Sequence, residues 1–354
     1  VDIIESSLKY ERWMAAHIKV VKPDLAKKHA AMADNAFIFL RGTFYRWCQL
    51  WPVTCDRLTD APAVPSVGDL HIENFGTWRD NEGRLVWGVN DVDEACRMPY
   101  TNDLVRLATS ATLAARHGRL DRQARSLCEA ILDGYIDAID RGGRAFVLAE
   151  RRQWLRRLAL NKLRDPVIYW PKFDALPRAT GDVPHAILRG ALPNVHLSYR
   201  VVSRVAGVGS LGRRRIVALA MCEGARVARE AKSWLPSGLV WATGRSTLGV
   251  SSEKLIAQAV RSRDPFLQFH RHWIVRRLAP DCSRIELTDL PRMQDEEKLL
   301  RAMGAETANM HVRHAQKEIR ADLKKRKRRW LEDAAGAMAD AIEKDWRRWA
   351  RHAG

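Results

Sequence analysis

Gly68-Asp69-Leu70-His71-Ile72-Glu73-Asn74 is the stretch from which the rest of this chain is best read. An Asp and an Asn five positions apart can serve two partners at once. Asp69 can accept a proton from an attacking hydroxyl, and Asn74 can bind a metal through its side-chain carbonyl. Asn90-Asp91-Val92-Asp93 follows, with Asp91 where a second metal ligand is needed. Asp93 is either a further ligand or a helix cap. Residues 64–76 read as a short strand entering a loop, Asp80-Asn81-Glu82-Gly83 as a turn, and residues 85–89 as a second strand. The two acidic motifs therefore flank a hairpin. A single D-x-x-x-x-N is common by chance. Its combination with the hairpin and N-D-x-D is rarer, and the plain alternative is a pair of loop carboxylates that cap turns. His71 is expected to order the loop, and Asp103 to cap the next helix and brace it.

Working outward, residues 1–50 read as helical, with Leu25, Ala26, Ala30, Ala33 and Phe37 on one face. Residues 37–51 are apolar and aromatic, as a buried segment would be. Residues 102–160 read as helical throughout, starting with a buried helix at 104–115. The five prolines of 163–195 mark an irregular connection or a substrate-facing insertion. The character then changes. Residues 201–206, 214–221, 226–232 and 272–278 read as strands, with helices at 251–263 and 296–313 and over the final forty residues. These patterns predict an α+β protein. Its parts are a helical portion with both acidic loops (1–195), a β-rich portion (196–290) and C-terminal helices (291–354).

The β-rich portion carries a second set of residues. Gly207-Val208-Gly209-Ser210-Leu211-Gly212 is a G-x-G-x-x-G run, in which glycines let the backbone approach phosphates closely. The segment after it is β-like, so a hairpin covering a nucleotide is favoured over a strand-to-helix dinucleotide site; an ordinary glycine hairpin is the alternative. Lys232 lies near the end of the third strand, placed to reach phosphates or simply to face solvent. Glu253 opens the next helix, either as a partner that positions Lys232 or as an acidic residue at a helix N-terminus. Glu230 competes for the partner role.

Composition bounds the rest. In 354 residues, 60 Lys and Arg against 42 Asp and Glu leave a net charge of +18, which favours an anionic partner such as a nucleotide, a phosphorylated substrate, nucleic acid or an acidic membrane. Hydrophobic residues make up 46%, enough for a sizeable core. The six cysteines lack C-x-x-C spacing, which argues against zinc and against a disulfide framework and favours a cytoplasmic setting. No apolar run approaches the ~20 residues of a membrane span. The run Lys324-Lys325-Arg326-Lys327-Arg328-Arg329 is expected inside a helix, as a solvated face or as a nucleic-acid or membrane contact.

Residues 68–74, followed by Val89-Asn90-Asp91-Val92-Asp93-Glu94-Ala95 and Asn102-Asp103-Leu104, resemble aminoglycoside and choline kinase-type phosphotransferases. The chain resembles more closely the bacterial family called domain of unknown function 2252. Phrases at 39–42, 68–76, 90–95, 207–212, 230–232 and 275–278 recur there in the same order. The resemblance covers about residues 35–315. It implies a protein-kinase-like, two-lobed fold with the motif order circularly permuted, the glycine loop coming after the catalytic loop. The helix at 296–313, with His311, would then correspond to the helix that normally leads into the catalytic loop. Carried over, Asp69 is the base or substrate-orienting residue. Asn74 and Asp91, with Asp93, hold Mg2+; Lys232 binds the α- and β-phosphates of ATP and Glu253 positions it; Gly207, Gly209 and Gly212 cover the phosphates. Two features depart from the usual pattern: the metal phrase reads Asp91-Val92-Asp93, and Val67 precedes Gly68. The expected activity is ATP- and magnesium-dependent phosphoryl transfer to a small-molecule or protein acceptor. The rivals are an ATP-binding regulator of pseudokinase type, AMP transfer, and a nucleic-acid-binding module built on the basic helix.

Overall fold

The computed structural model describes residues 2–120, 123–148, 152–161, 163–283 and 293–353. Four helices come first: α1 (Ile3–His17), α2 (Lys22–Asp34), α3 (Ala36–Gly42) and α4 (Phe44–Thr54). The single face expected from Leu25 to Phe37 is interrupted. Asn35 is extended (φ −161°) and its side chain accepts the Ile38 N–H at 2.9 Å, capping a new helix. Helix α2 accordingly buries Lys28 and Met32, while Ala26 and Ala30 are exposed. The aromatic segment behaves as expected, with Phe37, Phe39 and Trp47 fully buried.

Two small antiparallel pairs follow. β1 (Ala63–Ser66) pairs with β4 (Cys96–Pro99), and β2 (Phe75–Arg79) forms the expected hairpin with β3 (Leu85–Val89). Both acidic motifs lie in the links between these pairs, one from β1 to β2 and one from β3 to β4. The pairing therefore holds the two loops side by side. α5 (Tyr100–Arg116) is buried from Tyr100 to Ala114. α6 (Ala124–Asp140) ends at a turn, so residues 102–160 are not helical throughout. α7 (Gln153–Asn161), α8 (Pro166–Tyr169), α9 (Pro171–Asp174) and α10 (His185–Ala191) break up the proline-rich stretch.

The second half is built on a five-stranded antiparallel sheet. Its strands are β5 (Tyr199–Ser203), β6 (Arg215–Cys222), β7 (Ala225–Ser233), β8 (Gln268–His270) and β9 (Trp273–Leu278), in the order β5-β6-β7-β9-β8. Helices α11 (Gly238–Thr243) and α12 (Ser252–Gln258) sit between β7 and β8. Helix α12 is shorter than expected because Ala259 turns extended. Directly opposed residues share a face. The register therefore aligns Val217, Glu230 and Arg276 in one row, and Arg215, Lys232 and Ile274 in the next. Farther along this face Val217 and Ala228 pack with Tyr169 and Phe173 of α8 and α9. The opposite face packs Ile216, Ala218, Ala231 and Val275 against Leu188 of α10. The proline-rich segment thus clasps both faces and leaves the charged end of one face turned toward the acidic loops.

The chain closes with α13 (Met293–Leu323), packed along α6, and α14 (Trp330–Ala353), packed on α5 and α2. The basic run does not continue a helix: residues 324–329 form the turn between α13 and α14. Six successive cations offer no apolar side chain to bury and repel one another at helical spacing. Arg326 instead pairs with Asp322 at 2.6 Å, and Arg329 with Glu332 at 2.7 Å. Among the described residues no helix is long and apolar enough to cross a membrane.

Candidate functional site

The loop from β1 to β2 is clamped from behind. Gly68 has φ +81°, and a Cβ there would lie 2.3 Å from the Glu94 carbonyl, so this turn requires glycine. The backbone N–H groups of Val67 and Gly68 donate to the Asp103 carboxylate at 2.7 and 3.0 Å. His311 Nε2 lies 3.1 Å from the same carboxylate, and the Tyr135 hydroxyl 3.0 Å from His311 Nδ1. Asp103, Tyr135 and His311 are all fully buried. Asp103 therefore braces the loop as expected, with a histidine from the far end of the chain, but it stands in the first turn of α5 and does not cap it, since the helix starts at Tyr100 after Pro99.

Asp69 is gripped on one oxygen only. Arg106 binds Oδ1, with its Nε at 3.0 Å, and also donates to the Leu40 carbonyl at 3.0 Å. The guanidinium is wholly buried, 5.0 Å from the centre of the Phe44 ring and 4.9 Å from that of Trp47. Burial pushes the Asp69 carboxyl above its ordinary range, with Arg106 opposing the rise. About a fifth of the side chain (21%) stays accessible, leaving one oxygen free to meet a ligand.

Asn74 ties the two loops together. Its amide donates to the carbonyls of Asp69 and Asp91 at 3.1 and 2.8 Å, and its Oδ1 accepts the Asp91 N–H at 2.8 Å. Beyond this tie, Lys232 Nζ lies 3.0 Å from Asp91 Oδ2 and also contacts Asp93. Arg213 approaches Asp93 at 3.6 Å. Burial would raise the Asp91 carboxyl, but Lys232 and Arg276 outweigh it and hold the group well below its usual range. Asp93 goes the other way: burial, and then the Asp91 charge, push it up to about 6.

The glycine turn closes over this arrangement. A Cβ on Gly209 would lie 2.8 Å from the Arg41 carbonyl and 3.6 Å from Asp69 Oδ2, so the bare backbone is what allows the approach. Arg41 in turn pairs with Glu73 of the acidic loop. Asp69, Asn74, Asp91, Asp93, Gly207, Gly209 and Lys232 line one narrow pocket of about 50 Å³. Gly212 and Glu253 are not brought there. Gly212 packs against Leu25, and Glu253 is exposed in the first turn of α12, where its neighbour Ser252 ties to the Val92 carbonyl at 2.7 Å. The carboxylates that meet Lys232 are Asp91 and Asp93, in place of Glu253 or Glu230. Glu230 pairs with Arg204 at 2.5 Å and Arg215 at 2.6 Å. Burial opposes its ionisation, yet Arg215 and Arg204 hold its carboxyl down at about 2.

Sequence reasoning missed Arg106, Arg213 and Arg215. Arg106 had a legible signal: it is the only charged residue between Asp103 and Arg116 in a helix otherwise suited to burial. Arg213 and Arg215 had none, because their partners are distant in the chain.

The oxygen donors suit a hard divalent cation. Asp93 Oδ2 is ion-paired with Lys232 and Arg213, Asp93 Oδ1 is buried without a hydrogen-bond partner among the described residues, and Asp91 stands beside them. Among the described residues no three His, Cys, Asp or Glu converge as a closed metal cage. Two carboxylates and an amide carbonyl are the open arrangement in which magnesium keeps water and phosphate ligands.

Residues 21–166 match the family model of domain of unknown function 2252, an uncharacterized protein conserved in bacteria. The match contains both acidic loops and Arg106 and ends before the glycine turn, Lys232 and His311. No curated protein and no solved structure matches the chain.

Proposed function

We propose that this protein is an ATP- and magnesium-dependent phosphotransferase with a kinase-like, two-lobed fold in permuted order. The observation that carries this reading is the 3.0 Å approach of Lys232 to Asp91 across 141 positions of sequence, next to Asp69 and under the glycine turn. The sheet of β5–β9 is then the small lobe and the helical remainder the large one. His311 on α13 supports the loop to which that helix would connect directly in unpermuted order.

Asp69 takes the proton of the acceptor hydroxyl through the oxygen that Arg106 leaves free. As the new O–P bond forms, the bond from the γ-phosphorus to its bridging oxygen breaks and ADP leaves. Lys232 exchanges its carboxylate partners for α- and β-phosphate oxygens. Asp91, Asp93 and Asn74 hold magnesium, which when bound supplies neutralising charge to the phosphates. Gly207 and Gly209 bring backbone close to the phosphates, while Gly212 anchors the turn against Leu25.

The test is transfer from γ-labelled ATP by the full chain, offered pools of small molecules and proteins. Magnesium-dependent ATP binding and labelled product are expected. Asp69→Asn should lower turnover by about 10²-fold or more while ATP binding persists. Binding without turnover on any pool would favour a regulator, and pyrophosphate release would favour AMP transfer. Absence of ATP affinity, with DNA retained through the turn at 324–329, would sink the proposal and favour the nucleic-acid module.

A further inference from the structure

A second cavity, of about 450 Å³, adjoins the first and shares Gly207 and Arg215 with it. Among the described residues five guanidinium groups line it (Arg164, Arg204, Arg215, Arg276 and Arg277) against one carboxylate, Glu230. Glu230 is already divided between Arg204 and Arg215. Arg277 turns to Asp281 at 2.9 Å, behind the lining. Among the described residues the buried Nε atoms of Arg215 and Arg276 have no hydrogen-bond partner. Arg164 is exposed, 5.5 Å from the centre of the Tyr169 ring.

A purely structural network would balance its charges and satisfy its donors. Among the described residues the lining of this cleft does neither, although Asp91 of the adjoining pocket stands near Arg276, and buried donors left unpaired are costly. Positive charge in a concave site with protein walls raises the local concentration of anions. Guanidinium forks also match the oxygens of phosphate and carboxylate groups better than an ammonium does.

We infer that this cleft is an oxyanion subsite for a phosphate-class group of a small-molecule ligand. It binds that group whether or not transfer occurs at Asp69. The group belongs either to the phosphates of a nucleotide or to an anionic acceptor whose reacting end enters the neighbouring pocket.

Titration calorimetry of the full chain with inorganic pyrophosphate tests this directly. Saturable binding that weakens with added salt is expected. Arg164→Ala and Arg276→Gln should each weaken it about tenfold, the usual scale for a lost charged hydrogen bond. Arg164 is exposed, so its variant should melt like the parent and keep the test valid even if Arg276→Gln folds poorly. Competition between pyrophosphate and magnesium-ATP would assign the subsite to nucleotide phosphates, and simultaneous binding would assign it to an anionic acceptor. Absence of pyrophosphate binding, or binding unchanged in both variants, would overturn the inference.

Discussion

Glu230 and Lys232 leave the same face of β7 two residues apart, and each is buried among groups of the opposite sign. Lys232 meets Asp91 and Asp93. Glu230 meets Arg204 and Arg215, with Arg276 beside it in the register. One strand thus serves two neighbouring sites of opposite polarity. Around Lys232 two carboxylates, Asp91 and Asp93, are shared with Arg213 at 3.6 Å, so the charges nearly balance; around Glu230 guanidinium groups are in excess, as an anion requires. A buried charge is tolerable only when paired, which is why the guanidinium excess beside Glu230 carries the inference of an anion subsite.

The largest break in this comparison should come from Lys232→Met. It leaves Asp91 and Asp93 facing each other without their shared cation. A loss of about 3–5 kcal/mol in urea unfolding is expected, together with loss of ATP binding. Unchanged stability would mean that the carboxylates do not depend on Lys232. Glu230→Gln should have the next largest effect and sharpen the contrast, costing about 2–3 kcal/mol while tightening pyrophosphate binding, because the arginines lose their internal counter-charge.

The same variant has a pH signature. Glu230 has a folded value of about 2, depressed from 4.5. A depressed carboxyl contributes stability that is fully present above the unfolded value and is lost as pH falls through the folded one. Parent stability should therefore drop between about pH 4.5 and 2 more steeply than that of Glu230→Gln, as acid titrations followed by circular dichroism would show. Parallel curves would contradict the depressed value. His311→Ala removes one partner of Asp103 but leaves its two backbone bonds. It should cost about 1–3 kcal/mol and lower turnover more than ATP affinity, because it loosens the Asp69 loop and not the Lys232 strand. The smallest effect belongs to Glu253→Ala. An exposed acid in a first helical turn is worth a few tenths of a kcal/mol, and ATP affinity should not change. A large loss of affinity would restore Glu253 to the site.

Much of this was legible in the chain because its cause is local. The hairpin at 75–89 follows from the polar turn Asp80-Asn81-Glu82-Gly83 between two short apolar runs, and the strands near 201, 214 and 272 from runs that carry β-branched residues. Lys324–Arg329 shows the limit: its charge was plain and disfavours a helix, but that the chain turns there shows only once α13 is seen against α6 and α14 against α5 and α2. Asn35 shows another, since a cap that splits one apparent helix in two shows only when its side chain is seen bonding to Ile38. Arg213 and Arg215 carried no signal, because a surface arginine and a site arginine look alike until their partners are known, and Arg276 stood in a recurring phrase that gave it no role.

By itself the sequence determined the mixed α+β character and two sets of chemically suitable residues, since period, turn chemistry and residue type are carried by near neighbours. The tertiary structure alone decided that Asp69, Asp91 and Lys232 share a pocket and that Glu253 and Gly212 stand outside it. It also placed His311 behind the Asp69 loop and an arginine cleft next door. Strand register and helix packing set those distances, and they act between segments that the chain order keeps far apart.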